Sequence, residues 1–168
     1  MKKDLFIVRH ATAEDIGNLR VVRDFDRELI SKGVMEAAKA GRYLSEYFPG
    51  IEAIYSSGAA RALSTATYMA EQIRFDTEKI EICDALYGSG PRGYLEVLNR
   101  IPAGTNSAMI VGHNPDVTYF VDYLTGDDTG GSMKKATVIH LQFEDLEWNE
   151  ISHKLGHFVK RIDKLDLT

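Results

Sequence analysis

The chain has 168 residues and a formal net charge of −5 at pH 7, with 44% hydrophobic and 27% charged residues. These proportions are typical of globular proteins and exclude a disordered or fibrous chain. The acidic balance disfavours nonspecific binding to nucleic acid, which requires a basic surface. Cys83 is the only cysteine, which excludes an intrachain disulfide and a cysteine-rich zinc site. At this length we expect a single domain over 1–168.

The apolar stretches of the sequence are short. No run of 18 apolar residues occurs, and the segment after the first lysines is too short for a signal peptide. We therefore expect no membrane association and a cytoplasmic location, the compartment in which a single cysteine stays reduced. No segment of the sequence marks an interface between copies of the chain. The sequence is compatible with a monomer, and it leaves the oligomeric state open.

The first half of the chain alternates between strand and helix patterns. Leu5–Val8 is a continuous apolar run, which is typical of a strand buried on both faces. Ala11–Ile30 is a polar connection of a length that is usually functional. Ser31 is the predicted N-cap of a helix that ends before Pro49, and Glu52–Ser56 is the second predicted strand.

The second half continues this alternation. A helix begins at Ser57 or Gly58, and a later helix takes Asn114 as its N-cap and Pro115 as its first residue. The other predicted elements are a strand at 80–83, a loop at 88–93, a helix at 94–100, a strand at 108–111, a loop at 127–133, a strand at 137–143 and a last strand near 149–154. This order predicts an α/β fold with a mostly parallel central sheet between two helix layers.

Unusual side chains follow three of the predicted strands. The first strand ends in Arg9 and His10, the second precedes Arg61 in the next helix, and the fourth ends before His113 and Asn114. Because ligands of open parallel sheets bind beyond the carboxyl ends of the strands, we expect these side chains to share one pocket. Arginines and helix N-termini at that edge favour a phosphate or carboxylate ligand. A single histidine at a strand end is more often an ordinary polar residue, but the joint pattern is more specific.

These motifs resemble the histidine phosphatase superfamily. The resemblance rests on Arg9-His10-Ala11, on Ser56-Ser57 followed by Arg61, and on Gly112-His113-Asn114, in the family's order. Residues 24–33 resemble the family's Asp-x-x-Arg-x-Leu-(Thr/Ser)-x-x-Gly element. The short chain is similar to the compact SixA-type phosphohistidine phosphatases, which implies a phosphoglycerate mutase-like fold. The resemblance covers most of the chain, from Leu5 to about Leu141.

The resemblance also implies roles for individual residues. His10 would be the nucleophile, and the side chains that would hold or stabilise the phosphoryl group are Arg9, Arg61 and His113. Arg27 would reach the phosphate from the loop, with Asn114 as a further neighbour. The implied activity is a metal-independent phosphatase with no cofactor, acting on phosphohistidine of a protein. A phosphatase of small phosphomonoesters and a noncatalytic phosphate-recognition module stay open as alternatives.

Two positions depart from the family pattern. Ala11 replaces the glycine that usually follows the Arg-His pair, which adds only a methyl group. The segment 84–90 has no glutamate that could protonate a leaving group, and Asp84 is its nearest carboxylate. Compact SixA-like proteins are similar in lacking this acid.

Other motifs favour structural interpretations. Gly88–Gly93 spells G-x-G-x-x-G, but Pro91 has no N–H to offer a pyrophosphate. His153 and His157 have a spacing suited to metal binding on a helix, yet no third ligand lies near them in the sequence. We therefore expect no metal site at these histidines. Tyr87 is expected in packing more than in the pocket.

Overall fold

The structure is a computed structural model that describes residues 1–17 and 23–163. Within these residues the strands are β1 (Lys2–Arg9), β2 (Ala53–Ser56), β3 (Glu81–Ile82), β4 (Ser107–Gly112), β5 (Val138–Glu144) and β6 (His157–Ile162). The helices are α1 (Ser31–Tyr47), α2 (Ala60–Gln72), α3 (Gly90–Asn99) and α4 (Asp116–Leu124). No helix in the described part of the chain is long and apolar enough to cross a membrane.

The strands form one mixed sheet in the order β3-β2-β4-β1-β5-β6. β1, β2, β3 and β4 pair in parallel, whereas β5 runs antiparallel to both β1 and β6. The predicted α/β fold with a mostly parallel sheet is therefore confirmed. This order places the carboxyl ends of β2, β4 and β1 side by side, so the residues that follow them meet at one edge of the sheet.

Helices cover both faces of the sheet. Because side chains alternate along a strand, Leu5 and Ile7 of β1 pack with α3 and α4, whereas Phe6 and Val8 pack with α1 and α2. All four of these β1 side chains are fully buried. The continuous apolar run of β1 thus supplies the centre of both hydrophobic cores, and the predicted three-layer arrangement is confirmed.

The helix starts differ from the predicted ones. Ser31 is the first residue of α1 and Ile30 is its N-cap, without a side-chain hydrogen bond. α2 begins after Ala59 because the Ser57 hydroxyl accepts a hydrogen bond from the Ala59 N–H in a turn between strand and helix. Asn114 is not the N-cap of α4. Pro115 has that position, and the Asn114 amide donates to the Met133 carbonyl instead.

Three further predictions require correction. The third strand is only Glu81–Ile82, exposed at the sheet edge. The predicted 88–93 loop is partly helix, since α3 begins at Gly90 and a proline in the first turn sacrifices no helical hydrogen bond. The last strand is His157–Ile162 instead of 149–154, and only one of its six residues is buried, so no apolar pattern marks it. Within the predicted Ala11–Ile30 connection, residues 18–22 lie outside the described residues.

Candidate functional site

Three buried polar side chains meet at the carboxyl edge of the sheet. His10 follows β1, His113 follows β4 and Arg61 lies in the first turn of α2, with exposed fractions of 7%, 8% and 6%. The two imidazole centroids are 5.2 Å apart, and Arg61 Nε lies 3.3 Å from His10 Nε2. An open cleft of about 390 Å³ lies beside them, lined by Asp24, Arg61, Tyr87, Gly88, Gly90, His113, Asn114, Pro115 and Asp116.

The hydrogen bonds of His10 fix which ring nitrogen is free. Its Nδ1 lies 2.7 Å from the Ala11 carbonyl oxygen, which only accepts hydrogen bonds, so Nδ1 carries the proton. Nε2 therefore has a lone pair, which accepts from Arg61 Nε. Burial lowers the pKa of His10 to about 3, and the positive charges of Arg61 and Arg9, together with that of His113 when it is protonated, act in the same direction. The ring is neutral at pH 7, as a nucleophilic imidazole requires.

His113 is held from two sides. Its Nε2 lies 2.8 Å from the Ser57 hydroxyl, and its backbone N–H donates to the buried Tyr94 hydroxyl at 3.0 Å. A Cβ at Gly112 would lie 1.9 Å from that hydroxyl, so the position before His113 requires glycine. Burial, with the charge of Arg61, lowers the pKa of His113 to about 4. Tyr94 thus positions this histidine from within the core.

The Asp24 carboxylate accepts hydrogen bonds from three side chains of the site. It accepts hydrogen bonds from Arg61 Nη2 at 2.9 Å, Arg27 Nη1 at 3.0 Å and the Tyr87 hydroxyl at 2.7 Å. Burial raises the pKa of Asp24, but these hydrogen bonds outweigh burial and hold the pKa below its usual value. The donors of Arg27, Arg61 and Tyr87 thus converge on one carboxylate, that of Asp24.

Arg9 and Asn114 donate hydrogen bonds to the same backbone carbonyl oxygen. Arg9 Nη1 donates to the Met133 carbonyl at 2.9 Å, and Asn114 Nδ2 donates to the same oxygen at 3.0 Å. Arg9 Nε is buried, with no hydrogen-bond partner among residues 1–17 and 23–163. The structure therefore brings together His10, Arg61 and His113 directly, Arg27 through Asp24, and Arg9 with Asn114 through Met133.

The remaining candidates lie elsewhere. Asp84 is exposed and lines a separate cleft with Tyr55 and Cys83, so it is not placed to protonate a leaving group at His10. His153 and His157 are exposed and do not share a helix. The described residues contain no group of three or more metal-ligating side chains. Tyr87, expected in packing, lines the site cleft.

Sequence reasoning did not place Asp24, Ser57, Tyr87 and the Met133 carbonyl in the site. Asp24 lies three residues before Arg27 in the family-like element, and this spacing is the one signal that could have found it. The Met133 carbonyl carries no sequence signal, because any residue supplies that oxygen.

The family model of the histidine phosphatase superfamily (branch 1) matches residues 5–87. This segment contains His10, Arg27 and Arg61. Protein Rv1276c of Mycobacterium tuberculosis is 30% identical over 94 residues, which are 56% of this chain and 56% of that protein. The chain thus matches little more than half the length of this curated relative.

A second relative and two solved structures extend the comparison. A 2,3-bisphosphoglycerate-dependent phosphoglycerate mutase of Pelagibacter ubique is 32% identical over 46% of this chain and 32% of its own length. The protein histidine phosphatase SixA complexed with tungstate has a TM-score of 0.78 at 20% identity, covering 98% of this chain and 99% of that chain. The mycobacterial glucosyl-3-phosphoglycerate phosphatase Rv2419c has a TM-score of 0.70 at 14% identity, covering 94% and 97%. These structures show that the fold is phosphoglycerate mutase-like.

Proposed function

We propose that this chain is a metal-independent phosphatase that forms a covalent phosphohistidine intermediate on His10 and hydrolyses phosphohistidine side chains of proteins. The observation that carries the proposal is the His10 ring itself. Its Nδ1 proton is held by the Ala11 carbonyl, its pKa is lowered to about 3, and its Nε2 lone pair faces Arg61. A module that only binds phosphate needs cations but no neutral nucleophile in this orientation.

The reaction has two displacement steps at phosphorus. First, the His10 Nε2 lone pair attacks phosphorus, the bond from phosphorus to the leaving nitrogen breaks, and that nitrogen keeps the electron pair and takes a proton. Second, a water oxygen attacks the phosphorus atom and the bond from phosphorus to Nε2 breaks. Its electron pair returns to Nε2, which restores neutral His10, and inorganic phosphate leaves while the water gives up a proton to solvent. Phosphoryl transfer depends on positioning and on stabilising charge at the equatorial oxygens, which Arg9, Arg61 and His113 supply.

Binding of a phosphoryl group must change the contacts of Asp24. Arg61 Nη2 and Arg27 Nη1 donate to this carboxylate, and a phosphoryl group would compete for the same donors. The match between the carboxylate and its three donors supports an oxyanion substrate, because charged planar guanidinium groups bind carboxylate and phosphate oxygens in the same way.

The leaving group favours phosphohistidine over phosphate esters. Imidazole is a weak base that can be protonated before attack near neutral pH. A serine or sugar alkoxide needs a proton during bond cleavage, and the Asp24 carboxylate in this arrangement is held ionised by its donors. A phosphatase of small phosphomonoesters remains the second candidate, because the open cleft of about 390 Å³ would admit a small ester as well as a protein side chain.

The test is a substrate panel with the purified chain. We expect hydrolysis of a phosphohistidine peptide and of an activated aryl phosphate, and slow hydrolysis of phosphoserine peptides and sugar phosphates. A phosphorylated form of the chain should be trapped by alkaline quenching and located at His10 by mass spectrometry. No hydrolysis of any member of the panel would contradict the phosphatase assignment, and fast turnover without phosphorylated His10 would contradict the covalent intermediate.

We also propose that the reaction needs no metal and takes place in the cytoplasm, where phosphorylated proteins would be the partners. The positive charge around the phosphoryl group comes from the chain's own arginines. Extensive treatment with a chelator should therefore leave turnover of the aryl phosphate unchanged. Loss of turnover that added divalent metal restores would contradict this proposal.

A further inference from the structure

We propose that Arg161 is a positioning residue that fixes the Arg9 guanidinium for oxyanion binding, although it lies on the last strand of the sheet. It acts through the 127–133 loop, which connects α4 to β5. The inference rests on the proposed function, since it takes Arg9 as one of the groups that hold the phosphoryl oxygens.

The two terminal nitrogens of the Arg161 guanidinium donate hydrogen bonds to three backbone carbonyls of this loop. Nη1 donates to the Thr129 carbonyl at 3.2 Å and to the Gly131 carbonyl at 2.9 Å, and Nη2 donates to the Ser132 carbonyl at 2.9 Å. Nε donates to the Asp163 carboxylate at 3.0 Å, which holds the guanidinium plane from the other side. A planar fork with five donors suits this arrangement, whereas a lysine ammonium does not.

The loop approaches the guanidinium so closely that one position requires glycine. Gly130 has a φ of +94°, which side chains rarely adopt, and a Cβ there would lie 3.2 Å from Arg161 Cδ and 3.3 Å from Nη1. The loop therefore lies directly against the guanidinium at Gly130 and is hydrogen-bonded to it through three of its carbonyls.

The end of the loop holds the Arg9 guanidinium. Residue 133 directly follows the Ser132 carbonyl that Arg161 binds, and its own carbonyl accepts from Arg9 Nη1 at 2.9 Å. Arg9 is adjacent to His10 in the sequence, and its positive charge lowers the pKa of both His10 and His113. A shift of the Met133 carbonyl therefore moves a charge that acts on the two site histidines.

The test combines oxyanion binding with a double-mutant cycle. We expect Arg161→Met to weaken orthovanadate binding, measured by calorimetry, and kcat/KM for the aryl phosphate by on the order of 10- to 100-fold, the scale of a small misplacement of a catalytic group. In an Arg9→Ala background the same substitution should cost less than about threefold, because coupled residues are nonadditive. In an Arg27→Ala background, Arg161→Met should weaken orthovanadate binding and lower kcat/KM by the same factor as in the wild type.

Two further variants complete the design. Arg161→Lys keeps the charge without the fork and should behave like Arg161→Met. Arg100→Met is the matched control, because Arg100 is 78% exposed and its ion pair is with Glu96, away from the loop. We expect no change in binding or turnover for this control. Should Arg161→Met fail to fold, Gly130→Ala displaces the guanidinium from the loop while retaining it, and the same cycle applies.

The outcomes separate the alternatives. The proposal would be overturned if Arg161→Met weakened orthovanadate binding in the Arg9→Ala background as much as in the wild type. It would also be overturned if Arg161→Met left orthovanadate affinity unchanged, and Arg161 would then be a purely structural residue. Recovery of wild-type affinity in Arg161→Lys would also overturn it. If the wild type binds orthovanadate without hydrolysing any phosphate, the proposed function fails while the binding cycle still decides the role of Arg161. If the wild type binds no orthovanadate, both proposals fail.

Discussion

His10, directly after β1, and His140, in the neighbouring β5, are both buried histidines, and their surroundings differ in the sign of the nearest charge. His10 Nε2 faces the Arg61 guanidinium, whereas His140 Nε2 lies 2.6 Å from the Asp4 carboxylate. The His140 side chain is 1% exposed and stacks on Phe6, with ring centroids 4.4 Å apart. The carboxylate engages the nitrogen of His140 that in His10 is available for attack.

The comparison shows that burial alone does not determine the surroundings of a histidine ring. Burial beside cations lowers the pKa of His10 to about 3, so its ring is neutral at pH 7 and its Nε2 carries a lone pair. Burial beside a carboxylate makes His140 part of a structural network, which also holds Asp4. Burial raises the pKa of Asp4, but hydrogen bonds from His140 and Gln142 outweigh it and lower the pKa overall.

Replacing each histidine should have opposite consequences. His10→Ala should lower turnover by more than about 10⁴-fold, the scale of removing a nucleophile, without lowering the melting temperature. His140→Leu should keep turnover within a few fold but lower the free energy of unfolding by about 1–3 kcal/mol, because a buried hydrogen-bond partner of Asp4 is lost. Turnover assays and urea denaturation check both expectations. Residual turnover near the wild-type rate in His10→Ala would rule out the covalent mechanism.

The substrates should differ according to their leaving groups, since the side chains around His10 contribute cations and the carboxylate that contacts them, Asp24, is held ionised. General acid catalysis is typically worth about 10²–10⁴-fold, so alkoxide-releasing substrates should be slower by that order. We expect phosphohistidine to be fastest, activated aryl phosphates next, and phosphoserine and sugar phosphates slowest, compared by kcat/KM. Equal rates for phosphoserine and phosphohistidine would contradict this order and would direct attention to Asp24 as an acid, tested by Asp24→Asn.

Removing one charge-stabilising donor should have a smaller effect. Arg61→Ala and His113→Ala should each lower kcat by on the order of 10²–10³-fold. His157→Ala, at an exposed position, is the matched control and should leave kcat unchanged. A loss in kcat below about tenfold for both site variants would show that these side chains only line the cleft.

The sequence predicts the central part of the fold better than its edges. β1 and β4 are continuous apolar runs because both faces of each strand are buried, so their composition reveals them. β6 is largely exposed at the edge of the sheet and presents no such pattern. β3 has two residues, too few for a periodicity to be recognised.

The candidate site also has a part that the sequence predicts and a part that it does not. His10, Arg61 and His113 follow from motif order and from the rule that parallel strands end at one edge. The contact of Asp24 with Arg27 has a local signal in their three-residue spacing, whereas its contacts with Arg61 and Tyr87 depend on how side chains point across the cleft. The contact between Arg9 and the Met133 carbonyl joins residues 124 positions apart through a backbone atom, and such a contact requires the folded chain.

The pH dependence of His10 should differ from that of an ordinary histidine. A normal ring titrates near pH 6.5, so the sequence alone would predict a change in protonation between pH 5 and 8. The structure lowers the pKa of His10 to about 3, and we expect its imidazole NMR signals to be constant over that range. A titration midpoint near 6.5 would contradict the neutral, buried ring.

The smallest expected effect is on stability. Between pH 6.5 and about 3 the unfolded chain binds a proton at His10 that the folded chain does not, and His113, with a pKa of about 4, behaves similarly. Stability therefore rises with pH across this window, is fully present above 6.5 and is lost as the pH falls through it. The free energy of unfolding from urea titrations should thus decline less steeply between pH 6.5 and 4 in His10→Ala than in the wild type. The carboxylates, including Asp24, are common to both proteins and cancel in this difference, so equal slopes would mean that His10 is protonated alike in the folded and unfolded chains.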